Sequence, residues 1–385
     1  MQQLLFFFCF LVADIVHGKG AKKGTNPLHN WGDNFKFCTQ NIEYPRTTAE
    51  VQQIVRRAQK LRVFGSRHSY SKIADSCGTL LSTLGMNSII AFNGSRPTVT
   101  VQPGITYTDL APILYVKNFA LPTLAGIAEI TVGGAIQTGA HGSGLSNSNL
   151  ATQVRSMRVV LANGTEAYFG PESVELRAVA CGLGAFGVIT EVELNLVPTF
   201  DTISYDFVRM GNNVLMVTTF ANTSVWDRVT SEANIVQPWY YGLLHFRLGL
   251  SGSDGIRLET EYFVPYKNGV PAIKAAMIRT VKGDDLWLSM NNGNGPMVAI
   301  HFTWADNRPS KAKHAVSQIE KVLTKFGARP HWGKYYTMKP SQFLKSSIYP
   351  HLNDFRKLAD NLDPTHKFRN KFINENIFES EQIDD

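Results

Sequence analysis

A glycine-rich but largely apolar stretch, ITVGGAIQTGAHGSG at 130–144, constrains the fold most. Its glycines leave few side chains to pack, yet Ile130, Val132 and Ile136 and the near absence of charge indicate that the segment is buried. Buried backbone N–H groups need acceptors, and phosphate oxygens held in a concavity of successive N–H groups are suitable ones. The stretch therefore predicts a phosphate-binding loop, with a flexible surface loop as the alternative.

A second loop of small residues occupies 62–70, RVFGSRHSY. Its apolar start is typical of a strand, and a turn then requires only the glycine. The histidine between Arg67 and Ser69 needs another reason. Together the two loops suit a pyrophosphate, and the alternative for His68 is a solvent-facing loop histidine.

The chain also contains one G-x-G-x-x-G, formed by Gly182, Gly184 and Gly187. In a dinucleotide-binding Rossmann unit these glycines follow a strand and open a helix. Here the helix-like PESVELRAVAC precedes them and a β-branched run follows. Because this order is reversed, we predict a helix-to-strand turn and no Rossmann unit.

Composition limits the partners. The 385 residues, 44% hydrophobic and 18% charged, are enough for a large core and for two domains rather than one. The net charge is +7, with the basic residues dispersed along the chain. This pattern favours an anionic cofactor or substrate and gives no nucleic-acid-binding arm.

The N-terminal residues MQQLLFFFCFLVADIVHGKG predict a signal peptide at 1–20. The apolar run at 4–12 is followed by small or polar residues, although no lysine or arginine precedes it. The run is too short to span a bilayer comfortably. We expect the protein in the secretory pathway, secreted or in the ER lumen, with membrane association as the alternative.

Three cysteines remain after that segment: Cys38, Cys77 and Cys181. They are widely spaced and contain no C-x-x-C, so at most one disulfide can form and no metal site is indicated. Three packed or free thiols are the preferred interpretation.

Helical and strand patterns alternate through the first half, which indicates α/β or α+β organisation. Helices are predicted at 47–60, from about 106–108, at 311–326 and at 351–361. Strands are predicted at 61–64, 203–208, 240–248, 258–264 and 297–304, with a hairpin at Asn163-Gly164. Pro198 closes a unit, so a domain boundary is expected near Thr199.

Seven motifs occur in a fixed order: VFGSRHSY, GITYTDLAPIL, ITVGGAIQTGAHGSG, GAFGVIT, HFTW, ARPHWGK and DPTHKFRNKF. Together they resemble the FAD-linked oxidases of the vanillyl-alcohol oxidase/PCMH-type family, and most of all its branch of alditol oxidases and sugar-1,4-lactone oxidases. The resemblance implies an α+β, two-domain PCMH-type FAD-binding fold with a substrate (cap) domain built on an antiparallel sheet. It places the FAD domain at 30–199, the substrate domain at 200–330, and a C-terminal segment completing the active site at 331–376.

The resemblance also implies the cofactor site. Family members with the loop VFGSRHSY attach the flavin covalently to a histidine, and His68 occupies that position. The implied FAD-binding residues are Val63, Phe64, Gly65, Ser66, Arg67, His68, Ser69, Thr131, Gly134, Thr138, Gly139, Ala140, His141 and Ile189.

Three residues match catalytic positions of the family. Lys334 in HWGK and Thr303 in HFTW correspond to residues that contact substrate hydroxyls. Arg279 in MIRTV matches an arginine that polarises the reacting hydroxyl. The resemblance thus implies oxidation of a polyol or a sugar-1,4-lactone, with O2 as electron acceptor and hydrogen peroxide as product.

Three departures from the family pattern leave an alternative open. The segment at 266–277 is short, Met277 replaces a common glutamate, and Gly126 replaces a common serine. The alternative is a secreted FAD-binding protein with impaired catalysis.

Overall fold

The computed structural model describes residues 28–203, 207–210, 213–216, 236–243, 258–265, 277–304 and 308–378. Helices and mainly antiparallel sheets make up these ranges, which confirms the α+β class. The signal segment expected at 1–20 lies outside them. None of the helices in these ranges has both the length and the apolar character needed to cross a membrane.

A small parallel sheet carries the loop of His68. Its strands, in sheet order, are Ile42–Glu43, Thr79–Ser82 and Leu61–Phe64. Helix Thr48–Arg57 precedes strand Leu61–Phe64 in the chain. Its N-terminus is capped by Thr47, and its buried side chains are Val51, Ile54 and Val55. The helix predicted at 47–60 and the strand predicted at 61–64 are confirmed.

A five-stranded antiparallel sheet forms the rest of the N-terminal half. In sheet order its strands are Ile89–Asn93, Thr98–Val101, Val188–Asn195, Val154–Val160 and Glu166–Phe169. The hairpin at Asn163-Gly164 is confirmed, with Gly164 at φ 81°. Helix Tyr107–Val116 begins at the predicted place, where Thr106 accepts a hydrogen bond from the Asp109 N–H. Strands Phe119–Ala120 and Val197–Pro198 form a short separate pair.

The glycines of the G-x-G-x-x-G form the predicted helix-to-strand turn. Helix Leu176–Val179 precedes them and strand Val188–Asn195 follows. Gly184 (φ 70°) and Gly187 (φ 149°) adopt positive φ, which a Cβ would disfavour.

A four-stranded antiparallel sheet lies in the second half, as expected for the substrate domain. Its strands, in sheet order, are Met277–Val281, Met297–Thr303, Glu259–Pro265 and Arg329–Pro330. Helix Pro309–Leu323 and a 3-10 turn, Thr324–Phe326, lie in the chain between strands Met297–Thr303 and Arg329–Pro330. Two further antiparallel pairs join Asp201–Ile203 with Val236–Pro238 and Phe207–Met210 with Asn213–Met216.

The strand predicted at 240–248 is wrong where the structure describes it. Trp239–Gly242 is a helical turn that follows Pro238 and fully buries Trp239. The pyrrolidine ring favours the start of a helical turn, and burial of the indole outweighs the strand propensity of the aromatic run. Residues 244–248 lie outside the described ranges.

The preference for three free thiols is also wrong. Cys38 and Cys77 form a disulfide, with their Cα atoms 4.7 Å apart, and Cys181 is buried and free. Parallel pairing of Ile42 with Leu80 brings these two distant cysteines together. That pairing joins residues far apart in sequence, so cysteine spacing alone does not reveal it.

The C-terminal segment packs against the small parallel sheet. Arg62, fully buried, donates to the Phe368 carbonyl at 2.6 Å, and the Leu61 N–H donates to the Lys367 carbonyl at 2.9 Å. Helix Leu352–Leu362 confirms the one predicted at 351–361. The domain bounds themselves stay a prediction. The remaining short helical segments are Lys72–Ala74, Thr83–Gly85, Val132–Gln137, Leu150–Gln153, Pro340–Phe343, Lys371–Ile373 and Asn374–Phe378.

Candidate active site

The two glycine-rich loops are in direct contact. A Cβ added to Gly65 would lie 1.9 Å from the Thr131 Oγ1, so only glycine allows this approach. The Thr131 N–H donates to the Ser66 Oγ at 3.3 Å, and Arg67 turns the loop at φ 63°. The loops therefore form one surface, as the sequence suggested.

His68 lies on this surface. Its ring stacks on Trp31 with the ring centroids 4.8 Å apart, and its Nδ1 lies 2.9 Å from the Ser66 Oγ. Its Nε2 is buried without a hydrogen-bond partner among the described residues. Burial, and next the charge of Lys334, lower the pKa of His68 to about 4. The imidazole is therefore neutral at pH 7.

The glycine-rich stretch at 130–144 is mostly buried, as predicted. A Cβ on Gly133 would lie 2.7 Å from the Pro103 Cβ, and one on Gly142 would lie 2.3 Å from the Leu124 carbonyl oxygen. Gly139 has a φ of 68°. Gly134 is exposed and Thr138 is half-buried, with the Thr138 hydroxyl donating to the Gly134 carbonyl at 3.1 Å.

The other residues predicted to bind FAD lie around these loops. Val63 is half-buried and Phe64 is buried at the end of strand Leu61–Phe64. Ala140 is half-buried, and its carbonyl accepts from the Leu150 N–H. Ile189 is buried in the core through strand Val188–Asn195.

One face of the four-stranded sheet carries a row of polar side chains. Glu259 is paired with Thr303, and Glu261 with His301. Arg279 lies in the next row, opposite Ala299. Because residues directly opposite in a sheet share a face and side chains alternate along a strand, all five polar residues project from the same side. The pattern H-x-T in HFTW does not by itself reveal this row, because the row forms only when three strands pair.

Lys334 joins that face from the segment after Arg329–Pro330. Its ammonium forms an ion pair with Glu259 and lies 5.1 Å from the centroid of the Tyr70 ring. The Lys334 N–H donates to the His331 carbonyl at 3.0 Å, and the Tyr335 N–H to the Glu259 carbonyl at 3.0 Å. The first of these bonds closes a turn within the segment. The second, together with the His331 N–H, which donates to the Glu261 carbonyl at 2.9 Å, fixes the segment against the sheet.

Glu259 is ionised. Burial by itself raises the pKa of this carboxyl group, but Lys334 and next His301 outweigh burial and hold the pKa well below its usual value. The His301 Nε2 lies 3.4 Å from the Glu259 carboxylate. Burial lowers the pKa of His301, yet the two glutamates outweigh it and leave the pKa above its ordinary value.

Glu261 links this face of the sheet to the glycine-rich stretch at 130–144. Its carboxylate lies 3.0 Å from the Nε2 of His141, whose Nδ1 lies 2.8 Å from the Gly142 carbonyl oxygen. Arg279 also contacts this stretch, because its Nη1 donates to the His141 carbonyl at 3.4 Å. The sheet face and the predicted FAD-binding loop are thus in contact.

His141, Glu261 and His331 place potential metal ligand atoms within 4.8 Å of one another. The Gly333 N–H, however, donates to the His331 Nδ1 at 2.9 Å. Burial, the largest cause, lowers the pKa of His331 to about 3, so the ring is neutral and its proton lies on Nε2. His331 then has no lone pair free for a metal, and the cluster offers two ligands rather than three.

Gly126 lies against Arg279. A Cβ at position 126 would lie 2.6 Å from the Arg279 Nη2. The guanidinium therefore fills the space that a serine side chain would take. The backbone of Met277 lies in the same row as His301, and residues 266–276 lie outside the described ranges.

The structure brings His68, Lys334, Thr303 and Arg279 into one region, together with His141. Sequence reasoning missed Glu259 and Glu261 as site residues. The alternation in ETEYF, with two carboxylates on one face of a strand, is the signal that could have identified them.

Comparisons with known proteins give the relatives of this chain. A family model described as "FAD binding domain" matches residues 39–169, and one described as "D-arabinono-1,4-lactone oxidase" matches residues 259–376. An alditol oxidase of Streptomyces sp. strain IKD472 is 28% identical, over 89% of this chain and 97% of that protein. The L-gulonolactone oxidase of Mus musculus is 25% identical, over 94% of this chain and all of that protein.

Solved structures show the fold. The crystal structure of a cholesterol oxidase from B. sterolicum superposes with a TM-score of 0.69 at 12% sequence identity. The superposition covers 91% of this chain and 96% of that one. Together with the matched FAD-binding model, this likeness confirms the PCMH-type FAD-binding fold.

Proposed function

Because the chain belongs to the vanillyl-alcohol oxidase/PCMH-type family, in its branch of alditol and sugar-1,4-lactone oxidases, we propose that it is an FAD-dependent oxidase of polyols or sugar-1,4-lactones. One observation of the structure carries this proposal. The Tyr70 N–H, two residues after His68, donates to the Gly333 carbonyl at 2.7 Å, and the Lys334 ammonium, paired with Glu259, lies 5.1 Å from the centroid of the Tyr70 ring, so polar groups suited to a sugar hydroxyl lie beside the expected flavin attachment point.

The residues present fit FAD. The His68 Nε2 and the Thr131 Oγ1 are both buried without hydrogen-bond partners among the described residues, so a bound group can satisfy them. Gly65 allows the two loops to meet, and Gly134 leaves an open backbone face beside Thr131. Residues 63–69 and 131–141 would hold the cofactor, whose bound form supplies the oxidant that takes two electrons from a carbinol carbon and passes them to O2.

We further propose that His68 is the covalent attachment point. A neutral imidazole keeps a lone pair for nucleophilic attack, and stacking on Trp31 fixes the ring plane. His68 would bond through a ring nitrogen to the flavin 8α-methyl carbon. Formation of this bond would release the imidazole N–H and one methyl hydrogen as protons, and O2 would accept the two electrons to give hydrogen peroxide.

Arg279, Lys334 and Thr303 would act on the substrate. As a carbinol carbon is oxidised to a carbonyl, its oxygen loses a proton and passes through a state of greater negative charge. Fixed cations near that oxygen lower the barrier because they stabilise the charge as it develops. The exposed Thr303 hydroxyl, opposite Glu259, would orient a neighbouring hydroxyl group.

The second candidate is an FAD-binding protein with impaired turnover. Gly126 favours it, because the space of a common family serine is filled here by Arg279. Met277, where a glutamate is common, removes a carboxylate from the row of His301. Peroxide release separates the two candidates.

We also propose that the protein enters the secretory pathway. The Cys38–Cys77 disulfide supports this location, since disulfides persist in oxidising compartments. N-terminal sequencing of the mature protein should not find residues 1–12. Their presence would favour a membrane anchor.

The function is tested by offering xylitol, sorbitol and L-gulono-1,4-lactone to purified protein and measuring peroxide. We expect peroxide with at least one of them, and none with any would favour the second candidate. In parallel, acid precipitation should leave the flavin in the pellet for wild type and for His314→Ala, an exposed control, but not for His68→Ala. Flavin retained by His68→Ala would refute the covalent assignment.

A further inference from the structure

Glu259 and Lys334 form a donor–acceptor pair that is open to the site. Their side chains are 16% and 20% exposed, and the exposed Thr303 lies opposite Glu259 on the adjacent strand. The ammonium can only donate hydrogen bonds and the ionised carboxylate can only accept them. A ligand group beside the pair that contacts both must therefore accept one hydrogen bond and donate another.

We propose that the Glu259–Lys334 pair selects open-chain polyols over sugar-1,4-lactones, which makes Glu259 a specificity-determining residue. This inference rests on the proposed function, because it concerns the substrate of the same site. A hydroxyl group satisfies the pair alone: its oxygen accepts from Lys334 while its O–H donates to Glu259. In an alditol every carbon next to the reacting carbinol carries such a hydroxyl.

A sugar-1,4-lactone lacks this match at two oxygens. Its carbonyl oxygen and its ring oxygen accept hydrogen bonds and cannot donate them. Either one beside the pair would satisfy Lys334 but face the Glu259 carboxylate, leaving two acceptors in contact. A site built to bond a hydroxyl strongly rejects a ligand without one. Because only the carbonyl and ring oxygens of the lactone are mismatched and its hydroxyl groups are not, we expect a preference for polyols of about 10- to 100-fold.

Neighbouring charges keep this selectivity in place. Glu259 is flanked by Lys334 and by His301, and its backbone carbonyl is fixed by the Tyr335 N–H. A carboxylate held by two cationic neighbours on a fixed backbone cannot turn away from a mismatched ligand without leaving the Lys334 ammonium unpaired.

The test compares xylitol with L-gulono-1,4-lactone in two measurements. The first is the ratio of kcat/KM from peroxide release. The second is the ratio of Kd from calorimetry on dithionite-reduced, anaerobic protein, which binds ligands without turnover. Wild type should favour xylitol by at least about tenfold in both. Glu259→Gln, whose amide also donates, should lower both ratios by about tenfold or more. The exposed control Glu172→Gln should leave them unchanged.

The outcomes separate this inference from the proposed function. Equal treatment of the two ligands by wild type, or unchanged ratios in Glu259→Gln, would overturn the inference while oxidase activity stands. Absence of all turnover would overturn the proposed function, and the Kd ratio would still decide the inference. If Glu259→Gln does not fold, Glu259→Asp, which keeps the charge, should retain the preference, and its loss there would count against the role.

Discussion

Gly65 approaches Thr131 so closely that a Cβ at position 65 would lie 1.9 Å from the Thr131 Oγ1. This contact joins the two loops predicted to bind the FAD pyrophosphate. The threonine is β-branched and stiff about χ1, so its side chain cannot easily turn away. The contact between the two loops therefore depends on the absence of a side chain at position 65.

Gly65→Ala should separate the loops. We expect the free energy of unfolding to fall by about 1–3 kcal/mol, as in overpacked sites, and FAD incorporation to fall with it. Thermal unfolding and the flavin-to-protein absorbance ratio measure the two effects. The control is Gly94→Ala, since a Cβ at Gly94 would have no neighbour within 4 Å. Equal behaviour of the two variants would contradict the assigned contact.

The Cys38–Cys77 disulfide should stabilise the protein substantially. It spans a sequence separation of 39, and the loop that it closes contains His68. Loss of chain entropy in the unfolded state predicts a contribution of about 4 kcal/mol. Cys38→Ser/Cys77→Ser should therefore unfold at a markedly lower temperature in thermal unfolding experiments. A reducing agent should lower the Tm of wild type and leave that of the double variant unchanged; equal Tm values for both proteins would rule out the bond.

Lys334→Met should lose most oxidase activity but keep covalent flavin. If the ammonium stabilises charge that develops only in the transition state, kcat and kcat/KM fall together. Removal of one such donor costs roughly 10²- to 10³-fold in rate. Steady-state peroxide release measures this loss, with the exposed Lys325→Met as control. Activity within a few-fold of wild type would instead assign Lys334 a purely structural role.

Asp284 should make stability depend on pH. Burial, the largest cause, raises the pKa of this carboxyl group to about 6, although Ser148 and Ser289 donate hydrogen bonds to it. The folded state thus binds a proton more tightly than the unfolded state, whose pKa is about 3.9. Between pH 4 and pH 6 the stability contribution of this group falls as pH rises, and above that window it is constant.

Asp284→Asn should remove this slope. Urea unfolding of wild type and the variant at pH 4, 5, 6 and 7 gives the difference in unfolding free energy at each pH. We expect that difference to change between pH 4 and pH 6 and to be flat above. Glu172→Gln, whose side chain is exposed, is the control and should track wild type. A difference for Asp284→Asn that is flat throughout would show that the carboxyl has an ordinary pKa in the folded protein.

Local sequence patterns determined much of this protein. The apolar glycine-rich stretch at 130–144 predicted a buried loop, the reversed order around Gly182 excluded a Rossmann unit, and Thr47 and Thr106 marked helix starts. Each of these features depends on neighbours a few residues apart, where backbone sterics and capping hydrogen bonds act. The ordered motifs then gave the family, the fold and the flavin cofactor.

Only the tertiary structure decided what depends on distant residues. The Cys38–Cys77 bond needed the parallel pairing of Ile42 with Leu80. The start of the strand predicted at 240–248 instead belongs to the helical turn Trp239–Gly242, which buries Trp239 in the core. The polar face of Glu259, Glu261 and His301 formed because antiparallel pairing aligned two strands in register. Burial and ion pairing, which fix the charges of that face, depend on these long-range contacts, and no local pattern in the sequence contains them.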